Sequence, residues 1–407
     1  MSTLRYLGPA AHALLACVRE HPPEALQAQV AALRGARDWQ DLVELTLVER
    51  AEAAVARALS TLPAGSVPEE RLAMLRRAVL VATFRQQRLY VRLFEALDLL
   101  RGAGHRVVLL KGAALAHVAY AGFGARPMID VDVLLPAVEA EAAHDLLQRH
   151  GWSIPPGAEH AAGFYVGHAH LAPLVDAGGA SLEIHSDLFH AGHPFGLDAR
   201  AVLADARPTP VRDPRGGVAT VEVPTLEHLF VHGCLHLVWS HKLGSGIVRW
   251  LTDLRALAAH PGFDWSRAAD AAVAARAASC AYWAVRLGRV LGGVPVPGEV
   301  EERLRPAGSR RLHAALERHF AGHLLSRERQ CPSVAVEQRL WRLAVRPGRS
   351  GHGRAVPWQR DAAYVAAEEA GAPRSSGRWL RDADGRATRV GEVASYLWRT
   401  LRGAALT

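Results

Sequence analysis

Apolar residues recur at three- and four-residue spacing through most of the first hundred positions, the signature of amphipathic helices. Leu14, Cys17 and Val18 open one such face, and Asp38 is placed to cap a helix carrying Trp39, Leu42, Val43 and Leu47. A Pro/Gly break at residues 62–65 precedes a long helical stretch whose stripe is Leu72, Leu75, Val79, Leu89, Leu93, Leu97 and Leu100. Residues 102–105 end it, and Val107 opens a short apolar run. Residues 107–136 then read as a short strand ending in Lys111-Gly112, a helix-like segment, and a second strand holding Asp130 and Asp132. Alternation puts the two acids and Leu134 on one face, with Ile129, Val131, Val133 and Leu135 directed into the core.

The same reading continues down the chain. Residues 137–150 are expected to form a helix burying Ala142, Leu146 and Leu147, with Gly151 as its stop. Residues 163–189 read as strands about a Gly178-Gly179 turn, and Ser181-Leu182-Glu183-Ile184-His185 turns Glu183 and His185 away from Leu182 and Ile184. Thr225 caps the start of a return to helical period, which includes a helix at 247–259 and a break at 292–295. Residues 346–354 read as a basic loop, and 390–401 as a further helix.

Two carboxylates side by side on a strand repel unless a cation lies between them, and Mg²⁺, which takes oxygen ligands and substrate phosphates, suits such a place. The competing reading is a half-buried strand whose acids face water. Asp382 and Asp384 repeat the spacing, but Gly385 follows them and no apolar strand surrounds them, so they read as a turn. His228, His232 and His236 recur in steps of four, with His241 beyond. They form either a transition-metal column or a polar seam against a neighbouring module. Arg249 and Asp253, also four apart, read as a helical ion pair.

Composition narrows the setting. At 407 residues the chain exceeds one ordinary core, and half of it is hydrophobic with few aromatics, which fits a largely helical globular protein. The charge of +8 suits a polyanionic ligand but selects none among nucleotides, nucleic acid and anionic surfaces. No aromatic-interleaved basic strand, recognition helix or zinc finger supports nucleic-acid tracking. Cys17, Cys234, Cys280 and Cys331 are scattered without a C-x-x-C pair, so a reducing cytosol is the expected compartment. Leu14-Leu15-Ala16-Cys17 superficially resembles a lipoprotein cleavage site, but Pro9 and His12 before it fit a helix start better. No run reaches the ~18–20 apolar residues of a membrane span, and a cytoplasmic protein is expected.

The succession LLKGAAL, a Tyr, RPMIDVDVLL, SLEIH, an H-x-x-x-H helix and RWLTDL resembles the uncharacterised nucleotidyltransferase family, within the minimal, DNA-polymerase-beta-like nucleotidyltransferase superfamily. The resemblance is dense over residues 107–257, looser toward the N-terminus, and nearly absent from the last hundred or so. It implies an α+β fold, a small mixed-sheet core flanked by N-terminal and C-terminal helical regions. The corresponding division is a helical region at 1–104, the core at 105–215, a helical domain at 216–345, and a basic linker with a helical segment at 346–407.

The same resemblance implies Asp130, Asp132 and Glu183 as metal-holding catalytic acids, with two divalent ions acting on an NTP, most simply ATP. Lys111 and Gly112 lie where the superfamily has its phosphate loop at a helix N-terminus, and Arg126 is placed to pair with phosphate or to order that loop. Where the superfamily carries Gly-Gly or Gly-Ser, this chain has Lys111-Gly112-Ala113, which removes one hydroxyl contact to phosphate. The expected activity is transfer of an NMP from an NTP to a small molecule, peptide or protein. The alternative is a non-catalytic nucleotide-sensing or partner-binding scaffold of the same fold.

Overall fold

A computed structural model describes residues 7–158, 168–325, 331, 334–346 and 393–401. The expected basic loop at 346–354, apart from its first residue, and the Asp382/Asp384 turn lie outside these. Helical backbone at 393–401 occupies most of the last expected helix.

The N-terminal helices Pro9–Val18, Pro23–Val30, Ala36–Val48 and Glu52–Leu59 pack beside the 34-residue helix Glu69–Gly102. That long helix follows from its sequence: Pro68 precedes it, Glu69 and Glu70 complement the positive end of its dipole, and no Pro or Gly interrupts it before Gly102. It ends in a Schellman motif. Gly104, at φ +86°, donates to Arg101 O, and His105 N–H donates to Leu100 O. Asp38 is not a cap. The helix begins at Ala36 after Gly35, and Asp38 sits in its first turn, reaching back to accept Arg34 N–H at 2.9 Å.

Seven strands follow: β1 (Val108–Leu109), β2 (Asp130–Leu134), β3 (Trp152–Ser153), β4 (Leu174–Asp176), β5 (Ser181–His185), β6 (Arg207–Arg212) and β7 (Val218–Val223). They form one mixed sheet in the order β3-β4-β5-β2-β1-β7-β6. This α+β architecture is the expected one, with β6 and β7 added beyond the expected strands. Pro208 and Pro210 disguise β6, and they are tolerated because β6 lies at the edge of the sheet. The sheet therefore runs to Val223, past residue 215.

Strand β2 is central, parallel to β5 and antiparallel to β1. It is covered more deeply than simple alternation predicts: Leu134 is fully buried on the acid face, whereas Ile129, expected inside, is exposed at the strand's entrance. The helix Ala137–Arg149 stops at Gly151 (φ +88°) as expected. It buries Ala140, Ala143, His144 and Leu147, while Ala142 faces outward. The Gly178-Gly179 turn is present, its backbone N–H groups at Gly178 and Ala180 donating to Asp176 Oδ1.

Beyond the sheet come Leu226–Leu235, a π-helical turn at His236–Ser240, and Ile247–Ala259. Trp265–Ala274, Ala278–Gly292, Gly298–Leu304, Arg310–Leu324 and Val334–Ala344 complete the described helices. Thr225 Oγ1 accepts His228 N–H and so caps the first of them. One continuous apolar core links the N-terminal helices, the sheet and these later helices. No helix among the described residues is long and apolar enough to cross a membrane.

Candidate active site

The site is a consequence of register. In the parallel β2–β5 pair, Asp130 lies opposite Ser181, Asp132 opposite Glu183, and Leu134 opposite His185. Partners in register share a face. Asp132, Glu183 and His185 thus bring one ligand atom each to within 4.8 Å of one another. Asp130, half-buried, lies one step up the same face.

Lys111 enters from the other side. Leu110 N–H donates to Asp132 O, which ends β1 beside β2, and Lys111 then begins the helix Lys111–Val118. Its φ of +45° is left-handed, a conformation that costs a non-glycine residue of order 1 kcal/mol or more. Its Nζ donates to Asp132 Oδ1 at 2.8 Å. His185 Nε2 meets the same oxygen at 2.8 Å, while its Nδ1 faces Asp187 O at 3.3 Å.

These contacts set the charges. Burial disfavours every charged form here, yet Lys111 and His185 together hold Asp132 well below the usual carboxylate range. Burial and the nearby ammonium both work against a charged His185, but its bonds to Asp132 and Glu183 outweigh them and raise its pKa. Burial likewise opposes the Lys111 charge, and Asp132, Glu183 and Asp130 overcome it. Asp130 shows the reverse, pushed up by burial and by Asp132 and Glu183. Three carboxylates against the Lys111 ammonium and the His185 imidazole still leave an excess of negative charge. Oxygen donors in that state suit a hard divalent cation. His185 is better placed to orient Asp132 than to complete an oxygen-rich shell.

Arg126 does not face open space. Its Nε and Nη2 donate to the two oxygens of Asp253, both at 2.7 Å, and Tyr120 Oη donates to Asp253 Oδ1 at 2.7 Å. Gln86 donates to Arg126 O. The guanidinium lies against Gly112: a Cβ there would overlap Arg126 Nη1 and come within 2.7 Å of the Met128 sulfur. Gly112→Ala is therefore expected to lower the melting temperature by several degrees and to weaken nucleotide binding. An unchanged melt with unchanged binding would show that Arg126 yields freely. Asp253, expected to pair with Arg249 one turn away, is instead the buried partner of Arg126.

A cavity of about 450 Å³ opens over this face, with His232 and His236 in its wall. His232 is buried, and its Nε2 has no hydrogen-bond partner among the described residues. Burial and the charge of Lys111 push its pKa down to about 3, so it is a neutral imidazole at pH 7. The four histidines of the column bring no three ligand atoms together as Asp132, Glu183 and His185 do. His232, on the helix Leu226–Leu235, and His236, which opens the π-helical turn, form a polar wall of the cavity.

Residues 35–292, more than half of the chain, match the family described as Uncharacterised nucleotidyltransferase. The chain belongs to this family. The match reaches well before and after the motif-dense stretch at 107–257, taking in the N-terminal helices from Ala36 and the helices up to Gly292. No curated protein and no solved structure matches the chain. Membership in a nucleotidyltransferase family supports a general nucleotidyl-transfer function and implies a nucleotide substrate. Within the matched span lie all six residues singled out from the sequence: Asp130, Asp132, Glu183, Lys111, Gly112 and Arg126. His185 and Asp253 complete the constellation. His185 carried a signal in its alternation with Glu183; Asp253 carried one in the RWLTDL motif, although its i,i+4 spacing pointed to Arg249 as the partner.

Proposed function

We propose that this chain transfers a nucleoside monophosphate from an NTP, most simply ATP, to a hydroxyl-bearing acceptor, with Asp130, Asp132 and Glu183 holding divalent cations. What supports the reading best is the β2–β5 register, which sets Asp132 against Glu183 beneath a cavity large enough for a nucleotide. Held by Asp130, Asp132 and Glu183, Mg²⁺ would supply polarisation of the α-phosphate and neutralise charge on the departing pyrophosphate. The chain's own groups do the rest. The acceptor oxygen bonds to the α-phosphorus, the bond to the bridging oxygen breaks, and pyrophosphate leaves with the electron pair. Glu183 takes the hydroxyl proton, while His185 keeps Asp132 oriented. Gly112 and Ala113 offer backbone N–H groups at the start of their helix to phosphate oxygens.

A second reading has one observation in its favour. Lys111 Nζ already neutralises Asp132 Oδ1 without any metal, as a nucleotide-sensing or partner-binding scaffold would permit. Calorimetry of Mg²⁺- or Mn²⁺-dependent NTP binding, comparing wild type with Asp130→Ala/Asp132→Ala, separates the enzyme from a partner-binding scaffold, and metal-dependent release of pyrophosphate from the bound NTP separates it from a nucleotide sensor. The enzyme reading expects a metal-dependent signal that the double variant loses. A folded wild type that binds no NTP in any metal favours the scaffold.

A further inference from the structure

The cavity holds four cations and four acids, and they do not all cancel. Lys111 is paired with Asp132 and Arg126 with Asp253. On the sheet this leaves Asp130 and Glu183. On the helical side it leaves Arg50 and Arg249, whose guanidinium groups make no ion pair or hydrogen bond among the described residues. Asp130 and Arg249 feel each other's charge without forming an ion pair.

The two arginines come from distant parts of the chain and are held together by a deliberate joint. Arg50 follows the helix Ala36–Val48 in the left-handed region (φ +55°), and Arg249 lies in the first turn of Ile247–Ala259. Between them, the buried Glu49 Oε2 accepts Val248 N–H at 2.8 Å. This bond also occupies part of that helix's N-terminus, so the guanidinium groups rather than helix amides are the free anion donors there. Burial and the charge of Arg50 lower the pKa of Arg249, and Glu49 offsets this only in part. Like charges converging on a cavity are stabilised when an anion comes between them, and a guanidinium pair matches phosphate oxygens in geometry as well as charge. Meanwhile, the approach to Gly112 on its Arg126 side is roofed by Arg126 and Met128.

We infer that Arg50 and Arg249 form a phosphate-binding subsite that completes the cavity opposite in charge to Asp130 and Glu183. This deepens the nucleotidyl-transfer reading and rests on it for its place in catalysis. A metal-bound triphosphate, with a cation at one end and free phosphates at the other, is complementary to such a bipolar cavity. A phosphorylated acceptor shares the chemistry.

The test uses inorganic pyrophosphate without divalent metal, in EDTA at low salt, with calorimetry on the full chain. Wild type should bind it, and Arg50→Gln and Arg249→Gln should each weaken binding about 10–100-fold, the loss of one or two charged hydrogen bonds. Arg149→Gln, the same charge change on an exposed helix end, should leave it unaltered. Arg249→Lys should retain part of the affinity. Should Arg249→Gln fail to fold, Arg50→Gln carries the comparison alone. No pyrophosphate binding by folded wild type overturns the subsite. So does a loss confined to Lys111→Gln, which would place the anion on the glycine loop. Displacement of pyrophosphate by Mg²⁺-NTP assigns the subsite to the triphosphate tail; simultaneous binding assigns it to an acceptor phosphate. Pyrophosphate bound at the arginines with no metal-dependent NTP binding leaves the subsite standing and sinks the transferase reading.

Discussion

In metal-free protein, Asp132→Asn is expected to cost about 3 kcal/mol or more of stability, whereas Asp130→Asn should raise stability by about 0.5–2 kcal/mol. The two carboxylates stand two residues apart on β2, yet their surroundings are opposite. Asp132 Oδ1 is the acceptor for both Lys111 Nζ and His185 Nε2, and both partners are largely withdrawn from water. Neutralising it leaves a buried ammonium uncompensated, the expensive outcome for a buried ion pair. Asp130 has no ion pair among the described residues and stands beside Asp132 and Glu183, so its charge opposes folding until a cation arrives. Both variants should nonetheless weaken Mg²⁺-dependent NTP binding by about 100-fold or more, beyond what loss of a merely supporting group costs. Denaturant titrations in EDTA, paired with calorimetry in Mg²⁺, read the two effects separately. A stabilised Asp130→Asn with unimpaired metal-dependent binding would remove Asp130 from the proposed site. Equal and small stability changes in both variants would mean that the Lys111–Asp132–His185 cluster does not hold the strand.

Local pattern was legible where local physics decides. The helix at 247–259, the Thr225 cap and the stop at Gly151 are each set by residues within one turn, and they stand where periodicity and capping chemistry put them. The face shared by Asp130 and Asp132 follows from the period of a strand alone. What lies opposite that face does not. Alternation tells which way Glu183 and His185 point, but only the pairing of β5 with β2, across some fifty residues, makes them neighbours of Asp132. Ile129 shows the limit from the other side: its apolar character and parity predicted burial, yet it sits where the strand emerges from cover. Arg249 and Asp253 have the spacing of a helical pair, but the better donor geometry, a two-pronged fork onto both carboxylate oxygens, is offered by Arg126, 127 residues earlier in the chain. Short-range spacing names candidates for an ion pair; burial chooses between them.

That choice gives the second large effect. Asp253→Ala is expected to destabilise the protein by about 3–5 kcal/mol, as removal of one partner from a buried pair does elsewhere. Both oxygens of Asp253 are engaged by Arg126, and Tyr120 donates to one of them, so the truncation strands a guanidinium and a phenol at once. The consequence should reach the site, because Arg126 lies against Gly112 and its carbonyl is held by Gln86 of the long helix. Tyr120→Phe removes only a neutral donor and should cost about 1 kcal/mol. Replacing both ions, Arg126→Met with Asp253→Leu, should recover much of the stability, since no buried charge is left unpaired. If the pair serves only to hold helix Ile247–Ala259 against the loop before β2, the double variant should also recover metal-dependent NTP binding. If Arg126 Nη1 contacts phosphate, stability should return while binding stays impaired. Urea denaturation midpoints beside NTP titrations for the four proteins decide this, and a fully stable Asp253→Ala would show that Arg126 finds water or another acceptor in its place.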